Sequence, residues 1–536
     1  MLWLFLGMLA CTRNDADSGP DETALEEVDV EVTEHGGRAC SNPEQRETQG
    51  PFVQVSLGPE WDEQDWSGDS GTQFANAGVL VADLDGQWGP EVFVPHASGD
   101  RLYVAQADGT WSLASWIPEG DPNTVGAIAG DYDGDGDLDL YVVHLHYADR
   151  LLRNDNGGFT DVTGQAGLGN QDSDGTTATF ADLDGDGDLD LLVNNHREDE
   201  TLGEEMLTGA MAPAQLNRTW LNRGDGTFVE APDLLPQAWA EGYTFVSGAE
   251  DFDGDGVIDV YSANDFGPMA YPNQLFRGPD FEEVEGTGTD VVAYAMGLGI
   301  GDLNDDGAPD LLITSWMDLV LLVSDGAGGW YRADQALGLT LQPNQHASWA
   351  AELADLDNDG DLDALAMFGA LRMPPEAADM LQGALGLDNA PEQPDGAWRN
   401  DEGAFTSVAE EWGLDHTGRG RGVAVADLNQ DGWLDLIKRH QDGPAIALMA
   451  RCGAESWLTV DLEQGGMNPD AVGAVLSING QSRVVRAGGH GFSGAVAPTV
   501  HFGLGDEERA TVQVRWPDGR TSQVNVGARQ RVTITR

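Results

Sequence analysis

The chain has 536 residues, of which 93 are Asp or Glu and 26 are Lys or Arg, for a formal charge of -67 at pH 7. Such a field repels phosphate backbones, which excludes nucleic acid as a partner and favours cations. The apolar share of 40% is ordinary for a globular protein, and the length allows two or more domains.

Residues 1–10 read as a short export signal, and Met8, Leu9, Ala10 and Cys11 resemble a bacterial lipobox. Cleavage before Cys11 leaves a lipidated N-terminus, so the expected setting is extracytoplasmic: an outer-membrane or cell-surface lipoprotein, or a secreted protein. No other stretch approaches the ~20 apolar residues that span a bilayer, so membrane contact is expected only through that anchor. Residues 11–50 are rich in Asp, Glu, Gly, Ser and Thr and are expected to form an acidic flexible tether. Cys40 in this tether and Cys452 near the C-terminal region either form an oxidised pair that pins the start of the folded part to its end, or remain two thiols.

From residue 51 one element recurs seven times, at intervals of about 48 to 72 residues. The copies are nine residues long, and we number them as loops one to seven: DLDGQWGPE from Asp83, DYDGDGDLD from Asp131, DLDGDGDLD from Asp182, DFDGDGVID from Asp251, DLNDDGAPD from Asp302, DLDNDGDLD from Asp355 and DLNQDGWLD from Asp427. Short apolar runs flank each copy, such as GVLVA before Asp83 and LYVVHL after Asp139, so each loop joins two β-strands. A third strand and a Gly/Asn/Asp turn follow, as in LLRNDNGGFTDVT, which completes a four-stranded antiparallel propeller blade. The segment FVQVSLGPEW from Phe52 has no earlier blade to join and is expected to pair with the seventh, closing the ring and removing exposed sheet edges. The fold predicted is all-β: a seven-bladed β-propeller over residues 51–451, followed by a small β domain over 452–536.

Carboxylates at positions one, three and five turn their oxygens into one concavity when the backbone curls, and a glycine at position six permits the turn. Position nine adds a further acid. The predicted ligands are therefore Asp83, Asp85 and Glu91; Asp131, Asp133, Asp135 and Asp139; Asp182, Asp184, Asp186 and Asp190; Asp251, Asp253, Asp255 and Asp259; Asp302, Asn304, Asp306 and Asp310; Asp355, Asp357, Asp359 and Asp363; and Asp427, Asn429, Asp431 and Asp435. An all-oxygen set suits calcium, which takes roughly six to eight hard ligands, whereas zinc would want His or Cys. Up to seven structural calcium ions are expected. An EF-hand is excluded because position twelve is never acidic, being Val142 in loop two and Val193 in loop three.

These loops resemble the FG-GAP/VCBS repeats of integrin α-chains. From Cys452 onward NPDAVGAVLSI, RAGGHGFSG, HFGLG and VQVRWPDGR resemble an ASPIC/UnbV domain. The pairing is similar to the cartilage acidic protein family and its bacterial relatives, and implies a calcium-bearing propeller in an extracytoplasmic setting. One departure is GFSGA from Gly491, where relatives show GFSSQ.

Other motifs point to no nucleophile. GDSG at Gly68 has no paired His signature, and RGD at Arg223 sits in the hairpin turn NRGDGTF. His96, His144 and His440 share one register in blades one, two and seven, on the face opposite the loops, with His146 and His196 nearby; they are a candidate metal or polar-ligand group. The function expected is a binding or scaffold module for a protein or glycan. The alternative is a polysaccharide lyase or other carbohydrate-active enzyme, whose enolate-stabilising cation would have to come from Arg or His.

Overall fold

The computed structural model describes residues 26–38, 46–58, 61, 75–87, 89–96, 99–106, 110–114, 123–169, 173–197, 211–371, 393–441, 443–488 and 494–536. The expected export signal, Cys11, Cys40 and the GDSG motif lie outside them. Each acidic loop joins two strands that are largely buried, as apolar runs without alternation require. In the second unit these are Thr124–Gly130 and Asp139–Tyr147, and Arg150–Asp155 and Gly158–Asp161 complete the antiparallel sheet. Among the described residues seven such units follow one another, starting at Val79–Ala82, Thr124–Gly130, Ser173–Ala181, Thr244–Glu250, Ala295–Gly301, Ser348–Ala354 and Gly420–Ala426. These first strands touch one another in cyclic order, the last against the first, so the sheets stand around a central channel as a propeller.

The ring is sealed by chain from its own N-terminal side. Phe52–Val55 pairs antiparallel with Ile446–Ala450, Phe52 opposite Ala450, and becomes the outer strand of the seventh unit. Arg451 locks the junction: its guanidinium donates to the carbonyls of Gln49 at 3.0 Å, Gly50 at 2.7 Å and Phe52 at 2.7 Å. Neighbouring units are also stitched by turn asparagines. Asn154 Nδ2 donates to Leu84 O in loop one at 2.8 Å, and Asn222 Nδ2 to Tyr132 O in loop two at 2.8 Å.

The C-terminal domain is a two-sheet sandwich. One sheet contains Ser456–Glu463, Val500–Gly505 and Gln530–Thr535, the other Val475–Ile478, Gln481–Val484, Arg509–Arg515 and Thr521–Gly527. Their facing sides bury Leu458, Leu476, Phe502, Val512, Trp516 and Ile534. The domain sits on the acidic-loop side of the ring and sends chain into the channel. Ala487–Gly488 pairs with Ser173–Ala181, and Gly494–Val496 runs parallel to Val79–Ala82. Only glycine fits at 494, because a Cβ there would lie 2.0 Å from Val423 O.

The N-terminal segment departs from the expected tether. Glu31–Gly36 forms an edge strand on Gln530–Thr535, and Val28 and Val30 pack against the sandwich core. Its polar composition hides this, because an edge strand needs only backbone pairing and a few apolar anchors to dock.

Truncating Arg451 strands several carbonyls at once. Arg451→Ala is expected to cost about 2–3 kcal/mol, seen as a lower urea midpoint, with Arg451→Lys recovering part of the loss.

Candidate metal centres

The nine-residue loops take their shape from their own carboxylates. At position one, Asp131 accepts hydrogen bonds from the amides of Gly134 and Gly136, both at 2.7 Å; Asp182 does the same with Gly185 and Gly187, and Asp251 with Gly254 and Gly256. The glycine at position six is needed because the curl drives it left-handed, as at Gly136 with φ 95°.

Position nine plays a part that its charge did not reveal. In every loop its carboxylate reaches back to the amide of position two: Glu91 to Leu84, Asp139 to Tyr132, Asp190 to Leu183, Asp259 to Phe252, Asp310 to Leu303, Asp363 to Leu356 and Asp435 to Leu428. In loops two to seven the second oxygen accepts an amide at or just past the end of the third strand, for example Asn154 on Asp139 at 2.8 Å and Ala450 on Asp435 at 2.7 Å. These acids clasp loop to sheet.

Five loops also bring three carboxylates together, with one oxygen of each within 4.8 Å of the others. The groups are Asp83, Asp85 and Glu91; Asp131, Asp133 and Asp139; Asp182, Asp184 and Asp190; Asp251, Asp253 and Asp255; and Asp355, Asp357 and Asp359. Asp135, Asp186, Asp259 and Asp363 stand outside these close groups. Loops five and seven, where Asn304 and Asn429 occupy position three, form no such group among the described residues; their amide oxygens accept the backbone N–H of Asp306 at 3.1 Å and Asp431 at 2.9 Å, as the aspartates at position three of loops one, three and four do.

The residues present fit a cation. Glu91 Oε1, Asp133 Oδ1, Asp355 Oδ1 and Asp357 Oδ1 are buried without a hydrogen-bond partner among the described residues, and all are hard anionic oxygens. Burial first, then neighbouring carboxylates, push Asp139 up to about 9 and Glu91 to about 8. Burial likewise raises Asp190 to about 8, and Asp259 and Asp310 to about 7. Loop four differs, because the protein supplies its own cations there: Arg515 Nη2 lies 2.9 Å from Asp251 Oδ2 and Arg277 Nε 3.1 Å from Asp253 Oδ2.

The histidine group does not assemble. Among the described residues His96, His144 and His440 bring no three ligand atoms together. His440 Nε2 lies 3.0 Å from Asp395 Oδ2, which also holds Lys438 Nζ at 2.6 Å. Lys438 is the single lysine of the chain, and it is buried. His144 is fully buried in its strand, and His196 stacks on Phe245 with ring centroids 4.5 Å apart. Cys452 is disulfide-bonded. Its Sγ lies 3.2 Å from Asp431 Oδ2, at the edge of loop seven.

Ring, loops and capping domain together define a class. The FG-GAP-like repeat family matches residues 83–142, 131–193, 251–313 and 302–366, and the family described as ASPIC and UnbV matches residues 464–536, so the chain carries FG-GAP-like repeats joined to an ASPIC and UnbV domain. Over most of its length it is similar to cartilage acidic protein 1. Identity is 26% over 501 residues with the Xenopus tropicalis protein, covering 84% of this chain and 72% of the relative. With the Homo sapiens protein it is 24% over 501 residues, covering 86% and 71%. Among solved structures, a rhamnogalacturonan lyase YesW aligns with TM-score 0.36 and 14% identity, over 71% of this chain and 72% of its own.

The raised carboxylates set a pH dependence. Their folded values stand above the unfolded values of 3.8 for Asp and 4.5 for Glu, so after removal of divalent ions the folded state holds more protons. The stability this gives is complete below about pH 4 and is lost as pH rises towards about 9. The melting temperature of the ion-free protein is therefore expected to fall across that window. Added calcium, which binds only deprotonated ligands, is expected to raise it by an increment that grows with pH.

Proposed function

We propose that this protein is an exported, calcium-stabilised propeller that serves as a binding or scaffold module for a protein or glycan. The observation that carries the calcium reading is the set of buried, unpartnered carboxylate oxygens gathered in the acidic loops. Export is supported by the disulfide at Cys452, since such bonds persist in oxidising compartments. A lipid anchor at Cys11 would hold the molecule at a membrane surface; among the described residues no helix is long and apolar enough to cross one.

The face opposite the acidic loops is the proposed binding surface, because the C-terminal domain occupies the loop side. Leu216, Val292 and Met317 are exposed on it, at 55%, 63% and 39%. Beside them runs a series of aromatic rings: Tyr243 against Phe266, Phe266 against Tyr294, and Tyr294 against Trp316 at 5.7 Å. Tyr243 and Phe266 are buried and only Tyr294 and Trp316 are partly accessible; such rings suit stacking of sugar faces or of apolar side chains.

A glycan array probed with intact protein, with and without chelator, tests this reading. Capture of an intact glycan that falls at least tenfold with Trp316→Ala, at unchanged melting temperature, is the expected result. Capture indifferent to Trp316 would move the surface elsewhere, and release of an unsaturated sugar would assign the protein to the lyases.

A further inference from the structure

Charged side chains meet repeatedly where the C-terminal domain sits on the propeller, and two of these meetings are balanced by arginine. Arg486 pairs with Glu250, and Arg515 with Asp251 at 2.9 Å. At loop two the pattern breaks, because acid faces acid. The turn that follows Ser456–Glu463 is held tightly by its own polar groups: Asn468 Oδ1 accepts from Val472 N at 2.8 Å, Asn468 Nδ2 donates to Val472 O at 2.8 Å, and Gln464 Nε2 donates to Asn468 O at 2.8 Å. The turn lies directly on loop two, where a Cβ on Gly134 would come within 3.0 Å of Met467 Sδ and 3.2 Å of Gly466 O.

This turn carries Asp470. Its Oδ2 is buried and has no hydrogen-bond partner among the described residues, as does Asp133 Oδ1 across the contact. Burial, then the nearby charge of Asp131, pushes the Asp470 carboxyl up to about 7. Of the other acids that act on it, Asp461 already holds Arg531 at 3.0 Å, and Glu463 is exposed and accepts from Thr535 at 2.9 Å. Asp131 of loop two is thus the acid that acts most strongly on Asp470, which stands beside, and not within, the group in which the Asp131, Asp133 and Asp139 oxygens lie within 4.8 Å of one another.

We propose that Asp470 is a cation ligand supplied by the C-terminal domain to loop two, so that a single divalent ion bridges the domain to the propeller. The inference rests on the calcium reading of the loops and adds to it a ligand that the nine-residue repeat does not contain. Hard carboxylate oxygens from two separate elements suit calcium, which tolerates flexible coordination geometry, better than magnesium. One consequence is that filling loop two seats the capping domain. Neutralising Asp470 then has opposite effects with and without the ion: it removes a ligand in calcium and relieves repulsion in its absence.

The test is a calcium titration of the full-length protein after removal of divalent ions, comparing wild type with Asp470→Asn, Asp131→Asn and the double variant. Asp470→Asn is expected to weaken one site at least tenfold and leave the others unchanged. The double variant is expected to be no weaker at that site than Asp131→Asn alone, and Glu463→Gln to titrate like wild type. In melting curves Asp470→Asn is expected to lie below wild type in calcium and at or above it in chelator. Should Asp470→Asn fail to fold, Asp470→Glu keeps the charge and is expected to weaken the same site by a smaller factor. Calcium binding by wild type with an unchanged titration for the Asp470 variants overturns this inference alone, whereas no calcium binding by wild type overturns the calcium reading and the inference together.

Discussion

The constraint that organises this molecule is negative charge concentrated at one rim of a ring of β-sheets. Every loop spends carboxylates on backbone amides, position one to curl the turn and position nine to clasp it to the sheet. Those hydrogen bonds hold acid side chains close together in partly dehydrated positions, where mutual repulsion is strong even at an effective dielectric of about 20. Backbone N–H dipoles offset part of that charge. The remainder calls for cations, and a chain with 26 basic residues against 93 acidic ones has few of its own to give.

Where the protein does supply cations, they serve assembly. Arg515 reaches Asp251 and Arg486 reaches Glu250 from the capping domain. His501 Nε2 adds a contact of 2.7 Å to Asn358 Oδ1 in loop six, and Gly505 N donates to Asn358 O at 2.9 Å. A cavity of about 860 Å³ remains between ring and cap, lined in part by Glu250, Glu352, Arg483 and Arg486. With Ala487–Gly488 and Gly494–Val496 set in the channel, the loop side is committed to holding the molecule together. The opposite side carries the aromatic series from Tyr243 to Trp316.

Much of this was legible in the residues. The loops announce themselves because a metal-type turn between two strands needs Asp and Gly at fixed spacing, and the spare strand at Phe52 implied its own pairing with the seventh unit. Position nine was harder. An acid at a regular place reads as a ligand, while its second amide partner comes from the third strand, which lies 14 or more residues away. His144 and His440 occupy equivalent places opposite Thr124 and Gly420, while His96 lies past the end of Glu91–Val94; spacing does not say what each ring touches, and Asp395 takes His440 together with Lys438. Docking of the C-terminal domain was not readable either, since it depends on contacts such as Gly494 against Val423, remote in sequence and chemically unremarked. The same holds for Glu31–Gly36, whose polar residues conceal an edge strand anchored by Val28 and Val30.

The central claim is that divalent ions sit among the gathered carboxylates of the acidic loops. Crystals grown in calcium, or exchanged into terbium, allow that to be seen directly in an anomalous difference map. The account requires peaks inside the carboxylate groups of loops one, two, three and six, each within coordination distance of the oxygens at positions one and three. Density showing only water there, with the loops keeping the same conformation, would contradict it.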